Sequence, residues 1–133
     1  MADEIVQPIT SDSDVVAARQ RGRVMAGQIG FTAGDQTVIA AAISEIARNI
    51  LLYARLGEIR LEIVQLGERS GLRIVAQDNG PGIRDIPRAL MDGYSTSGGL
   101  GLGLPGARRL MDEFEITSAP GNGTTVEMKK WKP

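Results

Sequence analysis

The sequence predicts an α+β fold, a two-layer α/β sandwich with helices on one face of a mostly antiparallel mixed sheet. Three observations lead there. Two consecutive segments, roughly 13–30 and 33–56, repeat apolar residues at helical spacing. From Ile59 to Ala76 the pattern changes to alternation of apolar and charged residues, as in a half-buried hairpin. The chain then ends on a second pair of short β-prone runs around Gly121-Asn122-Gly123.

Taken in order, Glu4–Ile9 reads as a short first strand. Ser11 or Asp12 can cap the first helix, whose Val15, Ala18, Gly22, Met25 and Ile29 fall on one face before Gly30 closes it. A second helix over Ala33–Leu56 carries the stripe Ile39, Ile43, Ile46, Ile50 and Tyr53, with Gly57 as its stop. Ile59, Leu61 and Ile63 then alternate with Arg60 and Glu62. Leu72, Ile74 and Ala76 form the returning strand after a turn over Gly67–Gly71. Residues 77–98 show little periodicity, contain Pro81 and Pro87, and are long for a plain connection, which points to function. A helix over about 105–113 and strands at Phe114–Ala119 and Thr124–Lys130 complete the order β-α-α-β-β-loop-α-β-β.

The composition bounds the chemistry. A length of 133 residues with 42% hydrophobic and 23% charged residues suits one domain, 1–133, with a real core. There is no Cys and no His, which excludes a disulfide framework, a thiol nucleophile, an imidazole base and a phosphohistidine relay within this chain. A net charge of −1 offers no basic stripe for nucleic acid. The N-terminus is acidic, and the apolar runs Val38–Ile43 and Ile50–Tyr53 are too short to span a bilayer. The expectation is a cytoplasmic protein with neither nucleic acid nor membrane as partner.

Four short patterns carry chemistry. Glu45 and Asn49 lie four apart on the second helix and so share a face. Asn49 offers a neutral oxygen to Mg²⁺, and Glu45 can act as base toward an attacking hydroxyl; a solvated polar face is the plainer alternative. Asp78-Asn79-Gly80-Pro81-Gly82 follows a strand, where an aspartate can accept from an exocyclic amine and glycines admit a flat base. The same residues also read as a simple β-turn. Ser97-Gly98-Gly99-Leu100-Gly101-Leu102-Gly103 bares backbone N–H groups before a helix that starts near Pro105, a place suited to phosphate. Gly101, Gly103 and Gly106 match the GxGxxG spacing, but no strand precedes them and a hairpin follows, which excludes a dinucleotide fingerprint. Gly121-Asn122-Gly123-Thr124 reads as a hairpin turn whose Thr124 hydroxyl can sit beside a bound base.

In this order, ExxxN, DxGxG, GLGLGL and GxGT resemble the Bergerat, or GHKL, ATP-binding fold over essentially the whole chain. Within that family the segment from Asp92 to Asp112 is most similar to the small anti-sigma-factor serine kinases, in particular the RsbT type of stressosome kinase. Two residues depart from the commoner helix motif: Arg48 precedes Asn49, and Tyr53 stands where a histidine often lies. The resemblance implies an ATP-dependent protein serine/threonine kinase. Asn49 would hold Mg²⁺ on the ATP phosphates, and Glu45 would serve or orient the substrate hydroxyl. Asp78 would take adenine N6, with Gly80 and Gly82 shaping that pocket and Thr124 assisting through water. The backbone of Ser95–Gly103, including Ser97, Gly98, Gly99, Leu100, Gly101 and Leu102, would wrap the phosphates, and residues about 83–98 would form an ATP lid. Arg48 is read either as a phosphate contact or as a solvated helix arginine.

For partners, the resemblance implies STAS-domain stressosome proteins as substrates and, on release of the kinase, a downstream serine phosphatase that it activates in a sigma-factor pathway. The rival expectations are an anti-sigma factor kinase that sequesters a sigma factor and phosphorylates its antagonist, or a nucleotide-gated adaptor without catalysis.

Overall fold

Alternation decides the sheet, and the pairing register shows how. The computed structural model describes residues 4–80, 104–118 and 120–133. They form β1 (Glu4–Ile9), α1 (Asp12–Ile29), α2 (Ala33–Tyr53), β2 (Gly57–Leu66), β3 (Arg69–Asp78), α3 (Leu104–Leu110), β4 (Glu113–Ser118) and β5 (Thr124–Trp131). The five strands make one sheet in the order β1-β2-β3-β5-β4, and the described pairings are all antiparallel. Side chains of period two place Ile59, Ala76, Val126 and Ile116 in one row, and Leu61, Ile74, Met128 and Phe114 in the next. These rows face the helices and form the sheet side of the core.

The other side comes from the helical stripes. Ile39, Ile43, Ile46 and Ile50 of α2 are buried, as are Val15, Ala18, Met25 and Ala26 of α1. Each fully buried Ile or Leu contributes about 1.5–3 kcal/mol. Gly22 lies buried where α1 crosses α2, and a Cβ there would run into Ile43 Cδ1. Its bare backbone lets the two helices close. On the opposite face the sheet is charged: Arg73 lies between Glu127 and Glu62, and Lys129 approaches Glu127 and Glu113.

Element ends follow local chemistry. Gly30 caps α1 at φ 106°, the left-handed conformation expected of it. Asp14 reaches back from the first turn of α1 to accept from the Thr10 backbone N–H and hydroxyl, while Ser11, the N-cap, makes no side-chain cap bond. Thr32 caps α2 by accepting from Asp35 N–H at 3.1 Å. α2 stops at Tyr53, three residues short of the expected Leu56, and Gly57 begins β2 instead of ending a helix. The β2–β3 turn is confined to Gly67-Glu68, because Arg69 and Ser70 already pair with Leu66 and Gln65. α3 is shorter than the expected 105–113 segment. Asp112 N–H donates to Lys129 O, and Lys130 Nζ donates to Leu110 O. Together these draw the chain off the helix and into β4.

Candidate functional site

The two helix-facing rows Leu61-Ile74-Met128-Phe114 and Ile59-Ala76-Val126-Ile116 are apolar, and the next one is not. There Gly57, Asp78, Thr124 and Ser118 stand side by side on β2, β3, β5 and β4. This polar row closes one end of the core, and it is built around Asp78. Asp78 Oδ1 accepts the Gly80 N–H at 2.8 Å, so the DxG pattern makes a tight Asx turn just beyond β3.

Three glycines let the chain crowd that carboxylate. A Cβ on Gly57 would lie 2.5 Å from Gln77 O and 3.0 Å from Asp78 Cβ. One on Gly80 would meet Ala54 Cβ at 2.6 Å and Ala54 Cα at 2.9 Å. Gly123, at φ 74°, faces the Asp78 carbonyl so closely that no side chain fits. The turn at Gly123 therefore does more than reverse the chain. It seats β5 against β3 with Thr124 opposite Asp78.

On β4 and β5 the hydroxyls are ordered. Ser118 Oγ donates to Gly123 O at 2.8 Å and also lies 2.8 Å from Thr124 Oγ1. All three side chains of the row are half-buried.

α2 reaches the row through its last turns. Ile50 Cγ2 would lie 2.9 Å from a Gly57 Cβ, and Ala54, its C-cap, touches the Gly80 position. Asn49 is the residue before Ile50, 100° around the helix, and Glu45 is one turn back. α1 meets α2 at Ile43 and Gln36. By helical geometry Glu45 and Asn49 project from the flank of α2 turned away from α1.

Glu45 is not a solvated face residue. Its side chain is 18% exposed, and its Oε1 accepts from Arg48 Nη1 at 2.9 Å, with Arg48 itself 53% exposed. Arg48 is an exposed helix arginine, and its guanidinium engages the carboxylate one turn before it.

The described residues thus bring Asp78, Gly80 and Thr124 together, with Glu45 and Asn49 on the helix packed over them. Gly82, Ser97, Gly98, Gly99, Leu100, Gly101, Leu102, Gly103 and the 83–98 segment lie outside the described residues. Sequence reasoning missed Gly57, Ala54 and Ser118. Gly57 read as a helix stop and Ser118 only as a residue of the Phe114–Ala119 strand, and only the register across four strands lines them up with Asp78. Among the described residues no three acidic side chains gather as a metal cage. A magnesium ion here would rely on phosphate oxygens plus a neutral protein oxygen such as that of Asn49, which is how this hard cation is commonly held.

ExxxN on a helix, with DxG and GT at one end of the sheet beside it, is the set of patterns on which the GHKL resemblance rests. The family model of histidine kinase-, DNA gyrase B- and HSP90-like ATPases matches residues 34–133. The chain belongs to this ATPase family. Membership brings ATP as the nucleotide, and the fold agrees with the GHKL expectation. Among curated relatives of the ATPase family, the serine/threonine-protein kinase RsbT of Bacillus subtilis is 52% identical over 131 residues, 98% of each chain. That likeness takes in β1 and α1, which precede the family match. An anti-sigma F factor of Caldanaerobacter subterraneus is 29% identical over 120 residues, 86% of this chain and 82% of the relative. The crystal structure of the RsbU and RsbW domains of a Mycobacterium tuberculosis protein aligns with TM-score 0.67 at 18% identity, covering 99% of this chain. The chain spans 34% of that structure's length, and at this identity the likeness concerns the fold. No helix among the described residues is long and apolar enough to cross a membrane.

Proposed function

We propose that this ATPase-family chain is a protein serine/threonine kinase of a sigma-factor stress pathway, transferring the γ-phosphoryl group of ATP to a hydroxyl of a partner protein. One observation raises this reading above a bare ATPase: 52% identity to a serine/threonine kinase along 98% of both chains. The site supplies what such a transfer needs. Phosphoryl transfer depends on positioning and charge stabilisation more than on covalent catalysis, so a chain without His or Cys suffices.

In this reading Asp78 accepts from the adenine amine, while Gly80 and Gly82 leave room for the ring. The backbone of Ser95–Gly103 wraps the phosphates, with residues about 83–98 as the lid. Asn49 offers its amide oxygen to Mg²⁺, whose charge offsets that of the phosphates. Glu45 takes the proton of the substrate hydroxyl as its oxygen bonds to the γ-phosphorus and the bond to the β-phosphate oxygen breaks, releasing ADP. The substrate hydroxyl then shares Glu45 with Arg48, whose pairing keeps the carboxylate oriented before substrate arrives. The partners are STAS-domain stressosome proteins, and the kinase they release activates a serine phosphatase, all in the cytoplasm. A phosphate placed in an interface built for a neutral hydroxyl weakens it by charge and desolvation, which is the switch.

A second reading, direct sequestration of a sigma factor, has one observation in its favour: the relatives named as anti-sigma F factors at 29% identity. One experiment separates the two. The purified protein is mixed with Mg-ATP, a STAS protein and a sigma factor; complexes are resolved by size and phosphoresidues mapped by mass spectrometry. The kinase reading expects Ser or Thr phosphate on the STAS protein and no complex with the sigma factor. Glu45→Ala should keep ATP binding and slow transfer at least about a hundredfold, and Asn49→Ala should lose Mg-ATP binding. Transfer at the parental rate by Glu45→Ala removes the base assignment.

A further inference from the structure

The hydroxyl pair at the end of the polar row has a direction. A carbonyl only accepts, so the 2.8 Å contact from Ser118 Oγ to Gly123 O uses the one hydrogen of Ser118. The 2.8 Å contact between Ser118 and Thr124 then takes its hydrogen from Thr124. Thr124 O–H therefore points along the sheet toward β4, away from its other neighbour in the row, Asp78. Only lone pairs of Thr124 remain for the Asp78 side. Asp78 is an acceptor too, with Oδ1 held by Gly80 N–H and Oδ2 carrying no hydrogen bond among the described residues.

We propose that Ser118 is a positioning residue that sets nucleobase specificity: by holding the Thr124 hydrogen, it keeps the edge made by Asp78 and Thr124 purely accepting. An edge of acceptors fits the amino group of adenine and repels the oxo group of a 6-oxopurine. Without Ser118 the Thr124 hydroxyl is free to turn, either to donate to Asp78 and occupy it or to donate to an incoming oxo group. Both outcomes erode the preference for a 6-amino base. The inference rests on the reading of Asp78 and Thr124 as the adenine end of the site.

The test compares ATP with inosine triphosphate, which carries oxo for amino at C6 and with it a hydrogen on N1, by calorimetry on the full chain. The parent should prefer ATP. Ser118→Ala should cut the ATP-to-ITP affinity ratio about five- to tenfold, the scale of one redirected neutral hydrogen bond. Ser118→Thr, which keeps the hydroxyl, should retain the ratio. Ser118→Cys, close in shape but a weak hydrogen-bonding group, should lower it even where the alanine variant folds poorly. In a Thr124→Val background Ser118→Ala should change nothing further, because its effect passes through Thr124. An unchanged ratio in both Ser118→Ala and Ser118→Cys overturns the proposal, as does an independent loss in the Thr124→Val background. Equal binding of ATP and ITP by the parent overturns the adenine reading itself, and the role of Ser118 with it.

Discussion

Arg73 stands at the middle of the solvent-facing side of β3 with a carboxylate on either neighbouring strand. Its Nη2 lies 2.7 Å from Glu127 and its Nη1 3.6 Å from Glu62. The hydrogen bond from Arg73 holds the Glu127 carboxyl below its ordinary value of 4.5 and raises the guanidinium in turn. Both side chains are 30% exposed, which puts the pair near the upper end of surface ion pairs, about 0.5–1 kcal/mol. Glu115, directly across from Glu127 on β4, trims that gain by like charge. A carboxyl whose folded pKa is depressed lends stability above its unfolded value and loses it as pH falls through the folded one. Glu127→Gln should therefore unfold at lower denaturant than the parent near neutral pH. The gap should close as pH falls below 4.5. A gap of the same size well into acid would show that the ion pair is not its source.

At the scale of elements, α2 connects stability to chemistry. Its N-cap, Thr32, satisfies the Asp35 N–H, and the helix so anchored meets the polar row at Ile50 and Ala54, with Glu45 and Asn49 on the turns just before. Thr32→Ala should cost about 1 kcal/mol and lower the melting temperature. ATP affinity at a temperature where the protein is folded should stay at the parental level, because the cap lies at the far end of α2 from Asn49. Thr32→Ser should restore the melting temperature. A variant that melts normally yet binds ATP poorly would mean that Thr32 acts on the site. Elements with strong period were legible in the sequence. The Ile39–Ile50 stripe, the alternation around Ile59 and Leu72, and Gly30 as a stop all correspond to observed elements. Their ends were less legible, because tertiary neighbours set them. Arg55 takes a positive φ of 71° on the way out of α2, a conformation that a sequence reader assigns to glycine. Gly57 is needed in the following strand for a different reason, the space held by Gln77 O, Ile50 and Asp78.

For the molecule as a whole, the proposed site is a meeting of distant pieces: α2 near residue 49, the end of β3 at Asp78 and the start of β5 at Thr124. Glu45, Asn49, Asp78 and Thr124 could be picked out because each sits in a short pattern whose chemistry is recognisable by itself. Ser118 and Ala54 have no such pattern, and their part follows only from pairing register and helix packing. Ligand binding across pieces so far apart in sequence should be visible in global unfolding. A nucleotide at a hundred times its Kd stabilises the folded state by about 2.7 kcal/mol, a rise of several degrees for a domain of this size. Asp78→Asn isolates the contribution of the carboxylate. The amide oxygen can still accept the Gly80 N–H, so the unliganded melting temperature should move little. The amide nitrogen then stands where an acceptor was and opposes the adenine amine, donor against donor. Melting with and without Mg-ATP should thus show the parental rise shrink to nearly nothing in Asp78→Asn. A full ATP-induced rise in that variant would place the base elsewhere on the chain, whatever the family likeness.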